Sequence, residues 1–350
     1  MSQSTALQAT SNFYGGHSGM RLVRLALGTA QRLWPALAVR AAYRLFGTPL
    51  PLRKPGRAAL PATGWSAERW PFEDAEITLY TPGALPPGPV VLLSHGWGGQ
   101  ARQMLPLAEA LAARGLRPVL VDLPAHGGSR GRVSNLPQFA RAIEYITARL
   151  QAQGDTLAAV VAHSLAANAA AHAAGRGLPT RRLVLLAPPA SPREYTRLFA
   201  QVFGLSETTR AAMQRRIEAR EGILMRQFEP EAVGPRIAQP TLIVHDRGDR
   251  INRFADGEAY RDHIAGATLL ATEGLGHRKL LQDAEVLRAV ADFIAGCPPE
   301  GRAWVPLSSA ACSCPRGPFS DAPAHVRLAC TGLAIARPGP AVRHRLPGQG

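Results

Sequence analysis

Apolar residues in this chain gather into short, nearly unbroken runs separated by stretches of helical periodicity, a pattern that sets in at about residue 72. The runs lie at 76–80, 89–94, 117–121, 158–162, 182–187, 240–245 and 267–271. Most of these are continuous apolar runs, the mark of strands buried on both sides in a parallel sheet. Segments at 101–114, 137–152, 165–175, 253–264 and 283–295 carry the spacing of helices and fill the gaps. The alternation predicts an α/β fold, a doubly wound and mostly parallel sheet with helices on both faces. Ligands in such sheets bind beyond the carboxyl ends of the strands. Between the strands ending at 187 and beginning at 240 no strand pattern occurs, only helical stretches around 194–203 and 208–225. A simple crossover needs fewer residues, so a small helical lid insertion is expected at about 190–236.

The flanks differ from this body. Residues 20–46 read as one helix, or as two broken at Pro35, with Arg21, Arg24, Arg32, Arg40 and Arg44 on a broad sector and Leu27, Trp34 and Leu45 opposite. Such a helix either packs on the body or a partner, or lies on a membrane surface. The Pro-rich stretch 48–61 reads as a linker and the polar residues 1–19 as mobile. Residues 298–350 hold nine prolines and no periodicity, the composition of a disordered Pro/Arg-rich tail. Three parts follow: an N-terminal basic helical extension and linker (1–60), a body (61–297) and the tail (298–350).

Composition narrows the function. The net charge is +15, but residues 1–60 contribute eight basic groups and no acidic one, and the body is close to balanced. A nucleic-acid-binding body is therefore disfavoured. All four cysteines, Cys297, Cys312, Cys314 and Cys330, fall at or beyond the end of the body, which excludes a disulfide framework for the core. Their spacing is a poor zinc signature, so no metal is expected. Only Lys54 and Lys279 are lysines, and with abundant Ala, Gly and Pro this suggests a GC-rich, bacterial coding sequence. Neither a spanning helix nor a secretory signal is evident, so a cytoplasmic protein is expected, with a possible peripheral membrane contact through 20–46.

The strand ends carry the chemistry. After 89–94 comes the turn His95-Gly96-Trp97-Gly98-Gly99, whose glycines let backbone N–H groups point into a site. After 117–121 comes Asp122-Leu123-Pro124-Ala125-His126-Gly127-Gly128-Ser129-Arg130-Gly131. After 158–162 come His163 and Ser164, in the frame Ala162-His163-Ser164-Leu165-Ala166. This frame reads either as a buried serine at a helix start or as a sharp strand–turn–helix that exposes a nucleophile. Beyond 240–245 come Asp246 and Asp249, and beyond the last strand Gly276 and His277. A serine, a carboxylate and a histidine in that order could supply a nucleophile, an orienting acid and a base.

On these five motifs, over about 72–296, the chain resembles the α/β-hydrolase superfamily. The resemblance implies Ser164 as nucleophile, His277 as general base and acid, Asp249 as orienting acid, and the backbone N–H groups of Trp97 and Leu165 as oxyanion hole. Alanines at 162 and 166 stand where the family has glycines. Asp246 occupies a usual glycine position and is a second candidate acid, with Asp249 preferred because it sits beyond the strand end. His126 and His163 are assigned to packing or hydrogen bonding. The implied activity is a cofactor-independent serine hydrolase cleaving a small carboxylic ester or thioester through an acyl-enzyme. Amide or peptide hydrolysis on the same residues is an alternative, as is a non-catalytic member docking through 20–46. The insertion's arginines, among them Arg193, Arg197, Arg210, Arg215, Arg216 and Arg220, suggest either an anionic substrate or a solvated helix face.

Overall fold

The computed structural model describes residues 17–49, 60, 64–83 and 88–296. The expected tail at 298–350, most of the 48–61 linker and residues 1–16 lie outside the described residues.

Eight strands form one sheet: β1 (Trp65–Phe72), β2 (Ala75–Pro82), β3 (Val90–Ser94), β4 (Arg117–Asp122), β5 (Leu157–His163), β6 (Leu183–Leu186), β7 (Thr241–Asp246) and β8 (Thr268–Thr272). Their order is β1-β2-β4-β3-β5-β6-β7-β8. From β4 to β8 every pairing is parallel, while β1 pairs antiparallel with β2 and β2 antiparallel with β4. The interior strands β3, β5, β6 and β7 are buried at every position, which is why they read as unbroken apolar runs.

Strand β1 is the one strand the hydrophobic pattern does not predict, and the sheet therefore starts at residue 65 rather than near 72. It lies at the sheet edge, exposes four consecutive residues and buries only Trp70 and Phe72. Such a strand has neither an apolar run nor clean alternation, and Pro71 is tolerated because one side of an edge strand needs no ladder bond.

Helices α3 (Leu105–Ala112), α4 (Leu136–Ala152), α5 (Leu165–Ala174), α8 (Phe254–His263) and α9 (Ala284–Ala295) cover the sheet, with α6 (Pro192–Phe203) and α7 (Glu207–Glu221) between β6 and β7, and α1 (His17–Leu33) and α2 (Pro35–Phe46) ahead of the sheet. One core layer joins Phe139, Ile143 and Ile146 of α4, the alanines of α5 and Tyr260 of α8 to one face of the strands. The other joins Leu107 and Leu111 of α3 and Val290 and Phe293 of α9 to the opposite face. Alanine at seven of the ten positions of α5 lets that helix lie close against β5, and it is buried along almost its whole length.

A third apolar cluster stands apart from the sheet. Leu27 of α1 and Ala42 of α2 pack with Phe199, Val202 and Phe203 of α6 and with Met213 and Ile217 of α7. Gln31 strengthens the joint, donating to Gly204 O at 3.1 Å and accepting from Ser206 N at 2.8 Å. The N-terminal helices are thus seated on the insertion, and the two build a common cap. Trp34 does not share the inward face with Leu27, as the periodicity predicts: Pro35 starts a new helix, and the break turns Trp34 outward, where it is 59% exposed.

Candidate active site

Ser164 follows β5 directly and is the residue ahead of α5, with φ 55° and ψ −126°. A non-glycine residue at positive φ is strained, and here the neighbouring backbone fixes it: Ser164 N donates to Leu186 O of β6 at 2.8 Å. Ala162 and Ala166 are both fully buried, so the small side chains that the turn requires are present although the glycines are not. Gly96 lies against this turn so tightly that a Cβ there would stand 2.7 Å from Ser164 Cβ.

His277 is the second residue of a single helical turn, Gly276–Lys279, after β8. Its Nε2 lies 3.0 Å from Ser164 Oγ and its Nδ1 lies 2.7 Å from Asp249 Oδ2. With Nδ1–H donating to the carboxylate, Nε2 is left to accept the serine proton. Asp249 is buried and also receives Ile251 N at 2.7 Å and Asn252 N at 3.1 Å on Oδ1. Burial alone would raise its pKa; hydrogen bonds from His245, His277 and Ile251 N–H outweigh that and hold the carboxyl well below the usual range. Asp246 faces elsewhere. It accepts from Thr272 Oγ1 and Leu275 N, both at 2.9 Å, and so fastens the loop that carries His277.

Three further histidines support this arrangement. His163 donates through Nε2 to His277 O at 2.9 Å, and the two rings lie 4.7 Å apart. Burial, then the neighbouring His277, pushes the His163 imidazole down to about 3. His126 donates through Nδ1 to Pro124 O and accepts Gly98 N at 3.0 Å on Nε2, bracing the glycine turn. His245 is fully buried on β7, with Nε2 3.5 Å from Asp249 Oδ2 and 3.2 Å from Asn252 O.

Around the glycine turn, Asp122 at the end of β4 ties three segments together. It accepts from Ala101 N at 2.6 Å, Tyr80 Oη at 2.8 Å and Gly128 N. Gly98 N and Gly99 N already have acceptors, His126 Nε2 on the loop after β4 and Gly96 O within the turn. The N–H groups of Trp97 and Leu165 have no hydrogen-bond partner among the described residues, and both residues line the same cleft as Ser164.

That cleft lies between the strand ends and the cap. Its walls are chiefly apolar, with Phe46 from α2, Leu198 and Phe199 from α6, Ile217 from α7, and Trp97 and Phe228 from below. Among the described residues, Arg278 is the one formally charged side chain lining it. The insertion's arginines lie elsewhere: Arg193 pairs with Glu229, Arg197 with Glu194, and Arg210 with Glu207. Arg216 lies over the Tyr43 ring. Arg193 and Arg197 fit the solvated-face reading, Arg210 is buried against Thr196, and none of the insertion's arginines lines the cleft as an anionic substrate would require.

A family model described as the alpha/beta hydrolase fold matches residues 89–223, the stretch from β3 through the serine turn into the insertion. The fold is that of an α/β-hydrolase. Solved structures agree with this assignment. A hydrolase from Pseudomonas aeruginosa PA01 is 18% identical, over 68% of this chain and 100% of its own, at a TM-score of 0.54. Est1E from Butyrivibrio proteoclasticus, solved with ferulic acid, is 19% identical over 65% of this chain and 96% of its own, at 0.52. A membrane phospholipase A described as a bacterial virulence factor is 18% identical over 79% of this chain and 97% of its own, at 0.51. At such identities the likeness of this chain to each is one of fold. No curated protein matches the chain.

Sequence reasoning named Ser164, Asp249 and His277, which the structure brings within hydrogen-bond reach, but gave no role to His245 or Asp122. Their signal is faint: a histidine and an aspartate at the ends of apolar runs differ little from ordinary loop-start residues.

Proposed function

We propose that this α/β-hydrolase is a serine hydrolase acting on a small carboxylic ester or thioester with an apolar acyl or alcohol group. The observation that carries the reading is the hydrogen-bonded chain Ser164 Oγ–His277 Nε2 and His277 Nδ1–Asp249 Oδ2 at the floor of an apolar cleft. Ser164 Oγ attacks the carbonyl carbon while His277 Nε2 takes its proton, and Asp249 steadies the imidazolium that forms. The carbonyl oxygen becomes an oxyanion in front of Trp97 N–H and Leu165 N–H, two donors that nothing else among the described residues uses. His277 then protonates the leaving alkoxide or thiolate, leaving an ester on Ser164. Water, deprotonated by His277, releases the acid and restores the hydroxyl. No step needs a cofactor.

The test is labelling with a fluorophosphonate probe together with hydrolysis of short- and long-chain p-nitrophenyl esters. Wild type should label and hydrolyse, and Ser164→Ala should do neither. An unlabelled wild type, or equal labelling of the variant, would end the serine-hydrolase reading.

A further inference from the structure

The cap presents a second apolar face, on the side away from the cluster that seats it. Helix α1 turns Leu27 and Gln31 toward the insertion, and Leu22, Leu25 and Leu33 fall on its opposite sector. Trp34 at the break and Leu37 on α2 extend this surface, so five large apolar side chains are between 56% and 70% exposed. Other large apolar residues this exposed are rare among the described residues, since only Val23, Val133 and Leu224 reach even the 37–45% range. Scattered exposed apolar residues need no explanation, but five on two consecutive helices do.

Charge identifies what the face fits. Arg21, Arg32, Arg40 and Arg44 are exposed on the same two helices, and residues 1–60 contain no acidic side chain to offset them. Leucines and a tryptophan flanked by arginines, with no carboxylate on either helix, match the apolar–anionic boundary of a lipid bilayer, where the tryptophan suits the headgroup level. A second copy of the chain would bring the same arginines face to face, and like charges would oppose that contact. No described helix is long and apolar enough to cross a membrane, so this geometry is that of a helix pair lying on the surface. We infer that α1 and α2 form a docking surface for anionic lipid bilayers, inserting Leu22, Leu25, Leu33, Trp34 and Leu37 while the arginines contact headgroups. The inference is independent of the chemistry assigned to Ser164.

The experiment is co-sedimentation of the full chain with vesicles of phosphatidylcholine alone and of phosphatidylcholine mixed with phosphatidylglycerol. Wild type should bind the mixed vesicles, bind the neutral ones less, and lose the difference in high salt. Leu25→Glu/Leu37→Glu should weaken binding by on the order of a hundredfold, since two exposed leucines lose their burial. Both side chains face solvent, so the variant's melting temperature should match wild type. Arg21→Gln/Arg32→Gln should weaken binding to the mixed vesicles and leave neutral-vesicle binding unchanged. No wild-type binding to the anionic vesicles at low salt would overturn the inference, as would equal binding by the leucine variant. Wild-type dimers in sedimentation velocity that the leucine variant abolishes, with vesicle binding unaltered, would assign the face to self-association instead.

Discussion

Asp249 and His277 meet in a 2.7 Å hydrogen bond between Oδ2 and Nδ1, whereas Asp246 on β7 accepts from Leu275 N, two residues before that histidine. One carboxylate orients the imidazole, and the other holds the loop on which it stands. Asp249→Asn should keep the fold and lower kcat/KM on a p-nitrophenyl ester by roughly a thousandfold or more, because an amide cannot fix the tautomer. Asp246→Asn should lower the melting temperature and reduce activity far less. Equal losses in kcat/KM for the two variants would contradict this division of roles.

Ser164 pays in backbone strain for its place at the cleft floor, with φ 55° and ψ −126°. Such a conformation costs about 1–3 kcal/mol in a non-glycine residue, and glycine adopts it freely. Glycine also loses about 0.5–1 kcal/mol of chain entropy on folding. Ser164→Gly should therefore be inactive yet more stable than wild type by about 1 kcal/mol in chemical denaturation. A destabilised variant would mean that the turn carries no strain.

The parallel body of the fold was legible because β3, β5, β6 and β7 are buried on both sides and must be continuously apolar. Strand β1 was not, since an edge strand with one solvated stretch leaves no run to detect. The order Ser164, Asp249, His277 and the preference for Asp249 over Asp246 were legible from the strand ends, but the bonds of Asp246 to Thr272 and Leu275 are a long-range fact that was not. The seating of α1 and α2 on the insertion was hidden for the same reason. Both partners read as amphipathic helices, and periodicity does not say which faces meet.

Phe46 belongs to α2 but lines the cleft, and its ring meets Phe199 edge-on at a centroid distance of 5.2 Å. Phe46→Ala should widen the cleft and remove apolar contact far from the reacting carbonyl. Hydrolysis of long acyl esters should lose more than that of acetyl esters, through KM more than kcat, with stability lowered on the order of 1 kcal/mol. A uniform loss across chain lengths would place the acyl group elsewhere.

His163 gives the clearest pH signature. Its folded-state imidazole is pushed down to about 3, against an ordinary value of 6.5, first by burial and then by His277. The unfolded chain therefore takes up a proton near pH 6.5 that the folded chain refuses until about pH 3. The stabilisation is complete above the unfolded value and is lost as pH falls toward the folded one. One excluded proton corresponds to a slope of about 1.4 kcal/mol per pH unit within that window. His163→Gln keeps an N–H donor for His277 O but cannot titrate, so denaturation curves between about pH 6 and pH 4 should be shallower in pH by about that amount. Some acid loss should persist in the variant, because burial also lowers His172, to about 4, and Asp249 is held below the usual carboxylate range. Identical slopes for wild type and variant would mean that His163 is free to protonate in the folded protein.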